Sequence, residues 1–221
     1  MNDRLSIDNY PLLQPLLTFN DPRDDFYVCE ILKRRKENPT MPVGTKLIDT
    51  LYLYQGDLKR KIEYIKDCCG KNNARAYLRL NKRSARSVAL RAIKKLAELI
   101  EHSQYKAAKR AYASAAGEVN SAGNNKTWFV DLDYKHLPFR ELIKANIEEC
   151  EPKNKIILEV PTVNGVHIIC KPFNRATFTI KASNPSSPLV LPQEIRSIDC
   201  HKDNPTLLFY ANPNEGVDKF A

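Results

Sequence analysis

The sequence predicts an α+β protein in which mixed or antiparallel sheets are flanked by helices. Two observations lead to this fold class. Strand-like segments, rich in β-branched and aromatic residues, do not alternate strictly with the amphipathic helical segments. Two of the strand-like segments are joined through Asn164-Gly165, a pair typical of antiparallel hairpins. This order disfavours a doubly wound parallel sheet.

Strands are predicted where β-forming residues concentrate or where apolar and polar residues alternate. The strongest is KTWFVDLD at 126–133. Residues 26–32 (FYVCEIL) fit a strand or a short helix, and the strand is the favoured interpretation. The remaining predicted strands are 46–54, 74–80, 155–160, 166–171, 176–181 and 206–211.

Helices are predicted where apolar residues recur at helical spacing. The first covers 57–69, with Asp57 as its N-cap and Gly70 as the glycine that ends it. Ser84 caps a long second helix, and helices at 105–116 and 138–150 follow after it. Residues 117–125, between these last two, form a polar loop. The buried stripe expected for the long helix is Val88, Ala92, Leu96, Leu99 and Ile100.

The chain has 221 residues, 43% hydrophobic and 28% charged, which is the composition of a globular protein with a sizeable core. It is expected to form a single domain over 1–221, with a candidate division into an N-terminal subdomain 1–120 and a catalytic subdomain 121–221. The formal net charge of +9 favours nucleic-acid or nucleotide partners, because bound phosphates release counterions. The alternative is that the charge serves solubility alone.

Several classes of protein are excluded at this point. No apolar run approaches the ~20 residues of a membrane span, and the N-terminus MNDRLSIDNY has no apolar signal region. The six cysteines include no C-x-x-C pair, so we expect free, mostly buried thiols in the cytoplasm of a bacterium or a host cell. P-loop ATPases, zincins and α/β-hydrolases are excluded because their motifs are absent.

The first candidate site is a pair of carboxylates, Asp131 and Asp133, in the strand WFVDLD. Side chains two residues apart on a strand share a face, so both carboxylates are expected to converge. Trp128, Val130 and Leu132 take the opposite, core face. Hard cations such as Mg²⁺ or Mn²⁺ prefer carboxylate oxygens, so the pair is a candidate metal site. The alternative is two polar residues on the wet face of an edge strand.

Four further positions are candidates for the same site, and of these Lys171 is a candidate nucleotide- or nucleic-acid-binding residue. His167 follows the Asn164-Gly165 turn and shares a strand face with Lys171. Asp199 and Asp203 lie just before the last predicted strand, and one of them is a candidate third carboxylate. The alternatives are a structural histidine and ordinary loop polarity.

A cationic strand face is the second candidate site. Arg75, Tyr77 and Arg79 alternate with apolar residues, and Arg83 follows shortly after. Guanidinium groups bind phosphates, and an exposed tyrosine can stack on a base. We therefore expect Arg75, Arg79 and Arg83 to bind nucleotide or nucleic acid, unless this face is only solvated.

The order of these motifs resembles that of the archaeo-eukaryotic primase (primase-polymerase) superfamily, of the small phage or mobile-element type. WFVDLD is similar to the family's acidic strand, VNGVHII to its later histidine strand, and ARAYLRLNKRS to a segment that precedes the acidic strand. The resemblance covers roughly 74–210. Gly165 stands where the family has serine two residues before the histidine, and no zinc module or helicase domain is present.

The resemblance implies an RRM-like catalytic sheet with a second α/β unit, and a DNA primase-polymerase active in DNA replication. In that role Asp131, Asp133 and Asp199 or Asp203 would bind Mg²⁺ or Mn²⁺, and His167 would contact nucleotide phosphates. Nucleoside triphosphates, single-stranded DNA or RNA and a helicase are the implied partners. The alternative is a non-enzymatic, basic nucleic-acid-binding accessory protein, in which the helices at 84–102 and 105–116 bind and the aspartates are structural.

Overall fold

The computed structural model describes residues 6–118, 126–196 and 198–212, and it confirms the predicted α+β class with antiparallel sheets and flanking helices. The strands of the described residues are β1 Ile7–Asp8, β2 Asp25–Arg34, β3 Thr45–Leu53, β4 Arg75–Leu78, β5 Arg83–Ser84, β6 Trp128–Asp133, β7 Ile156–Pro161, β8 Gly165–Cys170, β9 Asp199–His201 and β10 Thr206–Tyr210. The α-helices are α1 Tyr10–Leu13, α2 Leu58–Asn72, α3 Ala85–Glu101, α4 Tyr105–Ala108, α5 Ala111–Glu118, α6 Arg140–Glu149 and α7 Arg175–Ser183. Short 3₁₀ helices occupy Gln14–Leu16, Gln55–Asp57, Tyr134–Phe139 and Gln193–Ile195.

The chain divides into two compact units, of which the first is discontinuous in sequence. The first unit contains the described residues up to 118 and then 207–212, while the second contains those between 126 and 206. The boundary expected after residue 120 lies outside the described residues. The return of the chain to the first unit at Leu207 was not predicted.

The first unit is built on a sheet with strand order β1-β10-β4-β2-β3, and β5 pairs with the start of β2. β2 is its longest strand and pairs antiparallel with β3 and β4. Phe26 and Val28 of β2 pack against α3 and α5, where they contact Val88 and Ala115 in one buried cluster. Long apolar strands with an amphipathic helix pair on one face account for this core.

The second unit has an antiparallel sheet with strand order β7-β8-β6-β9. Val130, Leu132 and Ile168 lie on the face that packs against α6 and α7, where Ile143 and Phe178 complete the core. Because side chains alternate along a strand, the neighbouring residues of β6, β8 and β9 point to the opposite face. That second face carries the candidate site.

Several predicted elements differ in the structure. Residues 176–181 were predicted as a strand, but they belong to α7, whose N-terminus is capped by the Asn174 side chain accepting from the N–H groups of Ala176 and Thr177. Helix α2 continues through Gly70 and ends at Asn73, which takes the left-handed conformation with φ 46°. A tertiary contact explains the second difference, because the Asn73 amide group donates to the carbonyl of Glu37.

Helix α3 begins after Ser84, as predicted, and the Ser84 Oγ accepts from the N–H of Ser87. Its buried stripe is narrower than expected. Val88 and Ala92 are buried, but Leu96 and Ile100 are 38% and 49% exposed. The helix expected at 105–116 is split into α4 and α5, and the loop expected at 117–125 lies outside the described residues from 119 onward.

All six cysteines are free, and all but the half-buried Cys200 are buried, as expected. Within the described ranges, no helix is both long enough and apolar enough to cross a bilayer.

Candidate active site

The candidate site lies on one face of the second unit's sheet and centres on Asp131. Strand β6 runs between β8 and β9, and Asp131 is the residue directly opposite His167 on one side and Asp199 on the other. Residues paired across antiparallel strands have Cβ atoms ~4.5–5.5 Å apart and share a face. The sheet therefore places a histidine, a central aspartate and a second aspartate side by side.

His167 is held on both edges of its ring. Its Nε2 lies 3.4 Å from Oδ1 of Asp131, and its Nδ1 lies 2.8 Å from Oγ1 of Thr206. The Phe129 ring stacks on the imidazole at 4.2 Å between centroids. A neutral ring that donates from Nε2 to Asp131 accepts from the Thr206 hydroxyl at Nδ1, so every partner is satisfied. These contacts fix the orientation of the ring.

The electrostatics around Asp131 favour its ionised form. Burial acts to raise the pKa of Asp131. The hydrogen bond to His167 and the nearby imidazoles of His167, His201 and His136 act in the other direction, and the pKa of Asp131 is lowered overall. The site thus holds a negatively charged, half-buried carboxylate at neutral pH.

Asp133 shares this face but has a structural contact of its own. It is the N-cap of the 3₁₀ helix Tyr134–Phe139, where its side chain accepts from the His136 N–H. In return, the Nδ1 of His136 accepts from the Asp133 N–H at 3.1 Å. Because one carboxylate oxygen suffices for the cap, the cap and a cation are compatible.

His136 is a site residue that the sequence interpretation missed. Burial lowers the pKa of His136, Lys135 lowers it further, and the opposing effect of nearby aspartates, including Asp133 and Asp131, is smaller. Since Nδ1 accepts, the neutral ring carries its proton on Nε2, which is buried and lacks a partner among the described residues. The D-x-x-H spacing after an apolar strand resembles a capping box and is the signal that points to it.

The close approach of β8 to β6 depends on Gly165. Gly165 is directly opposite Asp133, and a Cβ added to it would overlap the carbonyl oxygen of Leu132 and approach the Asp133 Cα to 3.0 Å. The predicted hairpin is confirmed, with 162–164 as its loop and Gly165 as the first residue of β8. Only glycine fits here without moving the strand that carries His167.

Of the two candidates for a third carboxylate, Asp199 is the one in register with Asp131. It lies on β9 and is exposed, whereas Asp203 follows the strand. His201 lies next to the Phe129 ring at 4.8 Å and accepts at Nδ1 from the Asn204 amide. Lys171 directly follows β8 and is exposed.

The carboxylates of Asp131 and Asp199 form a cross-strand pair, and Asp133 carries a third on the same face. Among the described residues, no group of three or more histidine, cysteine or acidic side chains is already positioned to enclose a metal ion. Mg²⁺ is commonly bound by only one or two carboxylates, with substrate phosphates and water as its other ligands. The opposition of Asp131 and Asp199 fits that mode of binding.

The arginines expected on an exposed strand face form ion pairs and hydrogen bonds with other residues of the first unit. The expectation that they are exposed is therefore wrong. Arg75 is 4% exposed, forms an ion pair with Glu37 and lies over the Tyr210 ring at 5.2 Å. β4 is an interior strand between β10 and β2, so both of its edges are paired, and three of its four residues are buried.

The other two arginines are also held within the first unit. Arg79 pairs with Glu30 at 3.5 Å and is mostly buried. Arg83 is fully buried and donates to the carbonyls of Ala116 and Asn81 at 2.8 and 2.6 Å. These contacts stabilise the fold.

Comparison with known proteins returned no matching family model, no matching curated protein and no matching solved structure.

Proposed function

We propose that the protein is a metal-dependent nucleotidyltransferase resembling a DNA primase-polymerase, acting in replication of a phage or mobile element. The observation that supports it best is the position of Asp131 between His167 and Asp199 on neighbouring strands. A carboxylate pair can hold the divalent cation of a nucleoside triphosphate, and a neighbouring imidazole can contact its phosphates.

Asp131 and Asp199 are the residues proposed to hold Mg²⁺ or Mn²⁺, with Asp133 as a third ligand and Asp203 as the alternative to Asp199. The bound cation would neutralise charge that develops on the phosphoryl oxygens. Asp131 is ready for this role because its lowered pKa keeps it ionised. The exposed Asp199 and Asp133 leave the cation open to a substrate phosphate.

The histidines and the nearby lysine are proposed to bind the anionic substrate. His167 has its Nε2 toward Asp131, so a proton on that atom can be shared between the carboxylate and a phosphate oxygen. The Nε2–H of His136 is a buried donor without an acceptor, which a bound oxyanion would satisfy. Lys171, exposed beyond the end of β8, adds positive charge for the triphosphate.

The net charge of +9 supports a polyanionic template as well as nucleotides. Single-stranded DNA or RNA is the proposed template, and a helicase is a proposed partner in replication. A non-enzymatic accessory protein would share the charge but would not need the opposed carboxylates.

The test is primer synthesis and extension on single-stranded DNA with labelled nucleotides and either Mn²⁺ or Mg²⁺. We expect product from the wild type and none from Asp131→Asn. Asp67→Asn is the matched control, since Asp67 is exposed on α2 and pairs with the exposed Lys71. A wild-type protein that binds the template but makes no product with either metal would identify an accessory protein instead.

A further inference from the structure

A cleft of about 500 Å³ lies between α3, α4 and α5 in the first unit. Its lining includes three cations, Lys95, Lys106 and Arg110, and the apolar side chains of Leu99 and Ala107. The volume falls within the ~300–1,000 Å³ typical of ligand sites. This cleft has no role in the proposed catalysis.

The charge of the cleft is unbalanced. Lys95 forms an ion pair with Glu118, whose carboxylate also accepts from the Ser114 hydroxyl at 3.2 Å. Lys106 and Arg110 are exposed, and no carboxylate among the described residues pairs with either side chain. Two uncompensated cations thus face a concave, partly apolar surface.

The residues around the cleft are also basic, and they include an exposed aromatic ring. Residues 85–118 contain seven lysines and arginines against three glutamates. Tyr105, which precedes Lys106 at the start of α4, is 63% exposed. Cations that follow a backbone, combined with an exposed aromatic ring for stacking, are what proteins use to bind unpaired strands. A duplex keeps its bases stacked on each other and leaves such a ring without a partner.

We propose that this cleft binds the phosphodiester backbone of single-stranded nucleic acid, with Lys106 and Arg110 as its phosphate contacts. Glu118 limits the affinity, because it neutralises Lys95 and repels phosphate. The proposal goes beyond the catalytic one and stands without it, since none of the residues of the cleft belongs to the aspartate site.

The test measures fluorescence anisotropy of a labelled oligonucleotide over a range of salt concentrations. The variant is Lys106→Gln with Arg110→Gln, and the matched control is Lys59→Gln with Arg60→Gln, which removes the same two charge types from the exposed surface of α2. We expect the cleft variant to bind at least tenfold more weakly. The plot of log affinity against log salt should become less steep by about 1.4. Each lost phosphate contact on a single strand reduces the steepness by ~0.7, and the variant loses two.

Three further measurements make the test decisive. Glu118→Gln should bind the oligonucleotide several-fold more tightly, a gain that a purely structural role for this cleft does not predict. The difference between the wild type and the cleft variant should also be seen in EDTA, where no divalent cation is bound, so a failed catalytic proposal stays distinguishable from a failure of this one. The single variant Lys106→Gln replaces the double variant if the latter does not fold, with an expected slope change of about 0.7.

Competition experiments identify which kind of anion the cleft binds. Unlabelled single strands should displace the probe at far lower concentration than inorganic phosphate, a duplex of the same sequence or poly-glutamate of equal charge. Equal competition by phosphate or poly-glutamate, or equal losses of affinity in the cleft variant and the α2 control, would overturn the proposal.

Discussion

Asp131 and His167 are directly opposed on neighbouring antiparallel strands, with Oδ1 and Nε2 3.4 Å apart. The histidine is held from its other side by the hydroxyl of Thr206. Such a pair keeps the carboxylate ionised and the imidazole oriented before any ligand binds.

Metal binding should depend on the opposed carboxylates. Wild-type protein should be stabilised by Mn²⁺, by about 2.7 kcal/mol at a concentration 100 times the Kd. Asp131→Asn and Asp199→Asn should each lose this response. Without metal, Asp199→Asn should be as stable as the wild type or up to ~1 kcal/mol more stable, because like charges opposed across strands repel. A thermal-shift titration measures both effects, and an unchanged Mn²⁺ response in the variants would place the metal elsewhere.

Substitution of His167 should weaken nucleotide binding without removing metal binding. His167→Ala removes the Nε2 that faces Asp131 but leaves the opposed carboxylates in place. We expect the Kd of this variant for Mn²⁺ to stay within a factor of about three of the wild-type value. Its stabilisation by added nucleoside triphosphate should be lost. The same thermal-shift assay, with nucleotide added at saturating Mn²⁺, measures this. Loss of both responses together would assign His167 to the metal.

Gly165→Ala should damage the sheet that carries the site. The added Cβ overlaps the Leu132 carbonyl, so β6 and β8 must separate, and overpacking of this kind costs about 1–3 kcal/mol or more. Gly56→Ala is the control, since nothing lies within 4 Å of a Cβ added there. Urea denaturation of both variants tests the difference, and equal stability would show that the strands can part freely.

Arg75→Ala should destabilise the first unit. The substitution leaves the Glu37 carboxylate buried and unpaired, which costs about 3–5 kcal/mol. The double variant Arg75→Met with Glu37→Gln should recover much of that loss, because no buried charge remains. Denaturation midpoints of the three proteins provide the measurement. An Arg75→Ala protein with wild-type stability and weakened nucleotide binding would restore the sequence-based interpretation of an exposed arginine.

Asp25 should make stability depend on acid pH. Its burial acts to raise the pKa, but Lys82 and the N–H groups of Asp21 and Asn20 lower it overall. A lowered folded-state pKa means that the stabilisation is complete above the unfolded value, near 3.8, and is lost as pH falls through the folded one.

Asp25→Asn should therefore be about 1.5–3 kcal/mol less stable than the wild type at pH 7, the range for hydrogen bonds to a charged group. The gap should close as the pH falls below about 4. Chemical denaturation of both proteins from pH 7 to pH 3 measures it, and a gap that stays constant would exclude ionisation of Asp25 as the cause.

The fold class and half of the candidate site can be predicted from local sequence patterns. Alternation in WFVDLD places Asp131 and Asp133 on one face, and the Asn164-Gly165 turn sets β8 antiparallel to its hairpin partner β7. The other half depends on distant pairing. β9 has only three residues, so its pairing with β6 leaves no pattern long enough to read.

The errors have tertiary causes. The arginines of the 74–80 segment alternate as an exposed strand face would, but β10 pairs with β4 and its Tyr210 ring covers Arg75. Arg75 then needs Glu37, which lies in a different segment. In α7, a capping asparagine and burial of Phe178 and Ala182 outweigh the β-forming residues of 176–181.

The position of β10 also determines the order in which the two sheets can be completed during synthesis of the chain. β4 pairs with β10 on one edge, yet the whole second unit is encoded between these two strands. A ribosome adds ~5–20 residues per second, so one edge of β4 stays open for several seconds after β2, β3 and β4 have emerged. Such an edge can recruit other chains, and the nascent protein is most exposed to aggregation during that interval. The second unit, continuous in sequence, can finish folding first, and the sheet of the first unit is completed last.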